Sequence, residues 1–166
     1  MTTPTDDPAA AAAAREAKRA RLYERYNNTA LDSGQRIQGE FFLRLVEEYD
    51  ELDQEWTEGW LTWIYDLQYN RGVLDEKTRI LPIVGYCVIL DDQGQLPNHM
   101  RAALRAGATP REILEIILQS AIYAGMPRMV RAMRTYRAFM RDMGVLELTE
   151  PVFRGDAREP GTGGGG

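Results

Sequence analysis

Several residue types on which common functional sites depend are scarce in this chain of 166 residues. Its single cysteine excludes an internal disulfide framework and a cysteine-rich zinc site, and it fits a reducing cytoplasm. Its single histidine leaves no set of metal ligands at the usual spacing. No apolar run approaches the roughly 20 residues that a membrane-spanning helix needs. The sequence therefore predicts a cytoplasmic protein without a resident metal.

Short motifs of several large enzyme classes are also missing. No glycine-rich phosphate loop follows a strand, and neither a G-x-S-x-G elbow nor a C-x-x-C pair occurs. The net charge is −5 and the sequence pI is about 5.0. This balance disfavours nucleic acid or an anionic membrane as the main partner.

The charge is nevertheless segregated along the chain. Residues 15–25 are mainly basic and residues 40–58 are mainly acidic. These segments either dock against each other, within or between chains, or form separate solvated faces. A further basic stripe at steps of three or four comprises Arg128, Arg131, Arg134, Arg137 and Arg141. This stripe is expected to pair with the acidic segment or to stay solvated.

Apolar residues recur at helical spacing throughout, and strand signals are absent, so the pattern predicts an all-α fold. Helices are expected from Pro8 to about 26, over about 34–49 and 51–69 with a junction near Asp50, over 76–90, from Pro97, and over 110–124 and about 128–143. The folded domain is set at residues 15–150, with a disordered N-terminal segment at 1–14 and a disordered tail at 151–166. The three tryptophans are interpreted mainly as packing residues, although Trp63 is also a candidate wall of a small pocket.

The junction between the two helices near residue 108 is the clearest local signal. Gly107 is suited to a left-handed helix stop, and Thr109 with Glu112 forms a capping-box pattern around Pro110. The helix that follows is apolar over most of its circumference. It is therefore expected to be surrounded, either by its own domain or by a neighbouring subunit.

His99 is the main candidate for chemistry, because its ordinary pKa is near neutrality and it lies at the edge of an apolar helix stripe. With Arg79 and Arg101 as candidate carboxylate contacts, it would suit proton transfer on a small anionic substrate. A structural role for this histidine is the alternative. Cys87 lies among aliphatic residues and is expected to be an inert thiol with a raised pKa.

Three linked motifs resemble the carboxymuconolactone decarboxylase family. They are Gly72-Val73-Leu74-Asp75-Glu76-Lys77-Thr78-Arg79, then the stretch from His99 through Ala103-Leu104 and Gly107 to Thr109-Pro110-Arg111-Glu112-Ile113, and finally Tyr123-Ala124-Gly125-Met126-Pro127. The resemblance implies an alkyl-hydroperoxidase-D-like fold of about six helices, assembled as a homotrimer or homohexamer.

The same resemblance implies cofactor-free decarboxylation of a small carboxylated lactone, as in aromatic-compound catabolism. His99 then occupies the family's active-site position and acts as acid/base. Gln95 and Tyr123 are the expected hydrogen-bond partners of the substrate, Arg79 is expected to contact its carboxylate, and Trp63 is expected to line the pocket.

The chain also departs from family patterns. Asp92 and Gln95 stand where the peroxidase branch has its C-x-x-C pair, which argues against thiol-peroxidase chemistry. The alternatives are a decarboxylase or lyase for another small acid, a cofactor-free isomerase, a non-catalytic small-acid-binding or assembly protein, and a redox protein that uses Cys87.

Overall fold

The computed structural model describes residues 8–145, and every regular element within that range is a helix, which confirms the all-α prediction. The α-helices are α1 (Pro8–Arg25), α2 (Asn28–Gln38), α3 (Phe41–Leu52), α4 (Gln54–Trp60), α5 (Glu76–Leu90), α6 (Leu96–Arg105), α7 (Pro110–Ala124) and α8 (Met126–Asp142). A π-helical segment, Leu61–Gln68, continues α4. The predicted tail at 151–166 lies outside the described residues.

The N-terminal helix begins earlier than the predicted domain boundary. Residues 8–14 form the first turns of α1, as expected of a helix that begins at Pro8 and in contrast to the disorder expected for these residues. The domain bounds 15–150 stay a prediction. Pro8 suits the first helical position because it has no N–H to leave unpaired, and the alanines that follow have the highest helix propensity. Residues 1–7 lie outside the described range.

The helix predicted over 34–49 is wrong, because the chain breaks at Gly39. Gly39 has a φ of +76°, a conformation that glycine adopts readily and other residues rarely do. A single glycine within a helical pattern does not by itself reveal such a break. The junction predicted at Asp50 lies instead at Asp53, which is extended and caps α4 by accepting a backbone N–H at 3.0 Å. The described residues thus form eight α-helices, where the resemblance implied about six.

Docking of the basic segment on the acidic one is confirmed within a single chain. The ion pairs are Lys18–Glu47 at 3.5 Å, Arg21–Asp50 at 3.6 Å and Arg25–Asp50 at 2.7 Å. The Asp50 side chain is only 4 % exposed, and it also accepts a hydrogen bond from the Tyr26 hydroxyl. Because its charge is buried but partnered on several sides, Asp50 can remain ionised between α1 and α3.

The second half of the chain packs as a group of four helices. Gly85 of α5 lets α7 approach closely, because an added Cβ would lie 3.3 Å from both Ile116 and the Ser120 hydroxyl. The junction before α7 is as predicted: Gly107 has a φ of +85°, and Thr109 forms a complete capping box with the third residue of the helix. These local features fix where α7 begins and how deeply it packs.

Aromatic side chains fill much of the first half. Trp60 lies at the centre of a cluster and contacts Trp56, Tyr49, Phe42 and Tyr65 with ring centroids 5.0–6.0 Å apart. Two of the three tryptophans therefore pack as predicted. In α2, a side chain at Gly34 would overlap the Phe42 ring, so this glycine makes room for the aromatic core.

The helix α7 is buried along its first turns and exposed at its end. Ile113 and Ile117 are inaccessible, whereas Ile122 is 76 % and Tyr123 is 84 % exposed. Its own domain therefore accounts for part of the apolar circumference, and the C-terminal end of α7 stays uncovered in a single chain. No helix among residues 8–145 is long and apolar enough to cross a membrane.

Candidate active site

His99 lies in the first turn of α6. The neighbouring Leu96 and Met100 are fully buried and hold that turn against the core, while His99 itself is half-buried. Its backbone N–H donates to the Gln95 carbonyl at 3.1 Å. Its Nδ1 atom is buried and has no hydrogen-bond partner within residues 8–145, which is unusual for a buried polar atom.

The charge state of His99 follows from its surroundings. Burial lowers the pKa of the imidazole below its ordinary value of 6.5, and the negative charge of Asp92 opposes that shift without overcoming it. The neutral form therefore dominates at neutral pH. The imidazolium, when it forms, is a stronger acid than free histidine and a correspondingly better proton donor.

A short turn connects α5 to α6, the helix that carries His99. Asp91 ends α5 in the left-handed conformation, with a φ of 60°, which aspartate tolerates better than most residues. The Asp92 carboxylate then accepts the Gln95 N–H at 3.0 Å, within the turn that precedes α6. The two aspartates thus shape the backbone of this turn. No group of three or more metal-ligating side chains occurs among the described residues.

Side chains of α8 form hydrogen bonds with this turn, and the sequence did not predict these contacts. Arg131 donates from Nε to Asp91 Oδ1 at 3.0 Å, and Thr135 donates to the side-chain oxygen of Gln93 at 2.7 Å. Arg128 donates to the Ile89 carbonyl at 2.6 Å, at the end of α5. The sequence feature that could have indicated these contacts is the arginine stripe of the last helix. The stripe was expected to pair with the acidic segment or to stay solvated, whereas Arg128 and Arg131 bind the end of α5 and the turn that precedes His99.

Cys87 lies at the same end of the molecule. Its backbone carbonyl accepts the Asp92 N–H at 2.9 Å. Burial, with a smaller contribution from the Asp92 charge, raises the pKa of its thiol to about 11. Thiolate chemistry is therefore disfavoured at neutral pH, in agreement with the prediction of an inert thiol.

Arg79 lies at the opposite end of α5, about 12 Å along the helix axis from Cys87 at a rise of about 1.5 Å per residue. Its Nε is buried and has no partner within residues 8–145. The guanidinium is close enough to Tyr69 to offset part of the rise that burial causes in the pKa of that phenol. Within one chain, Arg79 thus belongs to a surface beside the aromatic cluster and not to the turn that presents His99.

The other predicted site residues are not gathered around His99 in one chain. Gln95 is adjacent through the backbone, and its exposed amide accepts from Asn98 at 3.4 Å. Tyr123 is exposed at the end of α7, and Trp63 is 59 % exposed on the π-helical segment. No hydrogen bond or ring contact joins either of them to His99 within residues 8–145. Arg101 lies over the Phe139 ring at 5.3 Å and serves packing there.

Curated relatives match different stretches of the chain. An uncharacterized 15.0 kDa protein of Paracoccus denitrificans is 42 % identical over 67 residues, which cover 39 % of this chain and 50 % of that protein. The 4-carboxymuconolactone decarboxylase of Acinetobacter baylyi is 26 % identical over 102 residues, which cover 61 % of this chain and 76 % of that protein. A nitrosuccinic acid decarboxylase of Metarhizium robertsii is 32 % identical over 81 residues, which cover 49 % of this chain and 57 % of that protein. The chain thus spans about half the length of the Paracoccus and Metarhizium relatives.

The family comparison agrees with the resemblance seen in the three motifs. The model of the carboxymuconolactone decarboxylase family matches residues 54–138, which is just over half of the chain and includes the π-helical segment and most of α8. This stretch contains His99, the turn before it and the residues of α8 that fasten the turn. The chain therefore belongs to the carboxymuconolactone decarboxylase family.

Proposed function

We propose that the protein is a cofactor-independent decarboxylase for a small carboxylated lactone or a related acid, with His99 as acid/base. The observation that carries the proposal is a half-buried histidine with an unpartnered, buried Nδ1, within the region that matches the family. Two relatives are named as decarboxylases of small acids, which supports the reaction class.

The proposed reaction requires one proton donor and no redox partner. The bond between the carboxylate carbon and the substrate carbon breaks, CO₂ leaves, and the electron pair passes into the conjugation of the lactone. The resulting anion then takes a proton from the His99 imidazolium. The Gln95 amide and the Tyr123 hydroxyl are proposed to hydrogen-bond the substrate, with Arg79 and Trp63 at its periphery.

No hydrogen bond or ring contact among residues 8–145 joins Arg79, Trp63 or Tyr123 to His99, so we also propose that the protein forms a homotrimer or homohexamer in which a neighbouring copy completes the pocket. The apolar surface at the ends of α5 and α7 supports this, because Leu90, Ile122 and Tyr123 are each more than three-quarters exposed. A second copy that covered this surface would also bring Tyr123 towards another chain.

The decisive test is CO₂ release from carboxymuconolactone, other small carboxylated lactones, β-keto acids and nitrosuccinate. We expect release by the wild-type protein from at least one of these acids and a loss of at least about 100-fold in His99→Ala, the scale of a general acid–base contribution. Cys87→Ala is the matched control, since its buried thiol takes no part in the reaction. Equal turnover by the His99→Ala protein would refute the mechanism.

If a small acid binds without release of CO₂, the protein is the non-catalytic binder that was the alternative. Conversion of the acid without loss of carbon would instead identify an isomerase. Both outcomes are measured in the same reactions, by calorimetry and by product analysis.

The pH dependence gives a second prediction. Since the reaction uses the imidazolium and burial lowers the pKa of His99, kcat/KM should fall as pH rises through a value below 6.5. The profile is measured on the free enzyme with limiting substrate, and a His99→Gln variant should lack this limb. A profile that instead rises with pH over the same range would identify neutral His99 as a base.

A further inference from the structure

We infer that one face of α8 docks on the acidic edge of α3 and α4 in a second copy of the chain. The arginine face comprises Arg134, Arg137 and Arg141, and the acidic edge comprises Glu48, Glu51, Glu55 and Glu58. The inference rests on the self-association proposed above and adds to it a second contact surface, of a different chemistry from the apolar one.

The arginine face is exposed and its charges are uncompensated. The three arginines are spaced by three and four residues, which places them on one side of α8. The same helix uses Arg128 and Arg131 to fasten the turn before His99. No ion pair involves Arg134, Arg137 or Arg141 within residues 8–145, so three positive charges lie together on a surface of the folded chain.

The acidic edge lies on α3 and α4, and other acidic residues of α3 already form ion pairs with α1. Glu47 and Asp50 face α1 and pair with its basic residues. The four other glutamates of α3 and α4 are exposed and have no ion pair among the described residues. Leu52 and Trp56, which lie between them in sequence, are 82 % and 53 % exposed and would add apolar area to a contact.

A second copy fits both faces better than a contact within one chain. Helix α8 packs with α5, α6 and α7, whereas α3 packs with α2 and α4, and no ion pair of the described chain joins the two faces. The chain carries a net charge of −5, so two copies repel unless opposite charges meet locally. The two faces are different patches, so the contact is head-to-tail, and repeating it closes a ring when the rotation allows.

The test is a charge swap followed by sedimentation. The variants are Arg137→Glu/Arg141→Glu, Glu51→Arg/Glu55→Arg, and the quadruple variant that combines them. The matched controls are Arg15→Glu/Arg71→Glu for the arginine variant and Glu16→Arg/Glu24→Arg for the glutamate variant, which make the same changes in net charge at exposed positions elsewhere. Circular dichroism and thermal unfolding establish that each variant is folded, and CO₂ release is measured on each preparation.

We expect each double variant to raise the dissociation constant of the assembly about tenfold or more, and the quadruple variant to restore it. The wild-type contact should also weaken between 0.1 M and 1 M salt, where the Debye length falls from about 10 Å to about 3 Å. The controls should behave as the wild type.

Three results would overturn the inference. They are an unchanged assembly in both double variants, disruption that the quadruple variant does not reverse, and a wild-type protein that is monomeric at every salt concentration. Disruption without reversal would point to another occupant of the arginine face, such as the acidic residues of segment 146–166 or an added polyanion. Failure of the proposed catalysis would appear separately, as the absence of CO₂ release from a normally assembled wild type.

Discussion

Two aspartate–arginine contacts in this molecule have similar chemistry but different burial. Asp50 is 4 % exposed and holds α1 on α3 through Arg25, with bonds at 2.7 and 2.9 Å. Asp91 is 32 % exposed and receives Arg131 at the turn before His99. A buried carboxylate strongly destabilises the fold when its partners are lost, whereas an exposed one can be lost at little cost. The first contact therefore serves stability, and the second serves the position of His99.

The largest effect on stability is expected from Asp50→Ala. The substitution leaves the Tyr26 hydroxyl without its acceptor in a buried site, which costs about 2 kcal/mol of the free energy of unfolding. Denaturant titration measures the loss, and CO₂ release per folded molecule should stay unchanged. A change of only a few tenths of a kcal/mol would show that α1 docks weakly.

Asp50 also makes the stability of the fold depend on pH. Burial alone would raise the pKa of Asp50, but hydrogen bonds from Tyr26 and Arg25 and the nearby positive charges outweigh it, so the net pKa lies below 3.8. Its contribution to stability is therefore present above pH 3.8 and is lost as pH falls through the lower folded value. In Asp50→Ala this part of the acid dependence of stability should be missing.

A smaller loss is expected from Thr109→Ala, which removes the N-cap of α7. The side chain accepts a backbone N–H at 3.1 Å, and loss of such a cap typically costs about 1 kcal/mol. Thermal unfolding measures it, and Thr109→Ser, which keeps the hydroxyl, is the control. An equal loss in both variants would show that the methyl group, and not the cap, matters.

The smallest effect on stability is expected from Arg131→Ala, because this side chain and its partner are both well exposed. Turnover should nevertheless fall several-fold, since the turn before His99 loses its tie to α8. Arg15→Ala is the control on another exposed arginine. A variant with normal kcat/KM would show that the turn is rigid without the Arg131–Asp91 contact. The two aspartate–arginine contacts would then differ only in burial and not in function.

Prediction from sequence succeeded where the signal is local. Thr109 and Gly107 act within one helical turn of their own position, so their residue types are sufficient to place helix ends. Gly39 was missed because a single glycine within a helical pattern is often tolerated, and its left-handed conformation is not readable from residue type alone. The role of Arg131 was missed because it depends on Asp91, a residue that only the fold brings close to it.

His99 was identified as the candidate acid/base from its residue type and the family motif, and its half-buried position fits that role. The spatial relation of Trp63, Tyr123 and Arg79 to His99 could not be predicted, because residues on different helices meet only through packing. In a single chain they remain separate, so their role in the site stays a prediction that depends on assembly.

The close approach of α2 to Phe42 at Gly34 has a consequence for how the sequence can evolve. Since a side chain at Gly34 would occupy the same space as the Phe42 ring, the two positions are not independent. A lineage that acquires a larger residue at 34 must first, or at the same time, accept a smaller one at 42. The order of the two substitutions is thus constrained, because enlarging residue 34 alone passes through an overpacked and less stable protein.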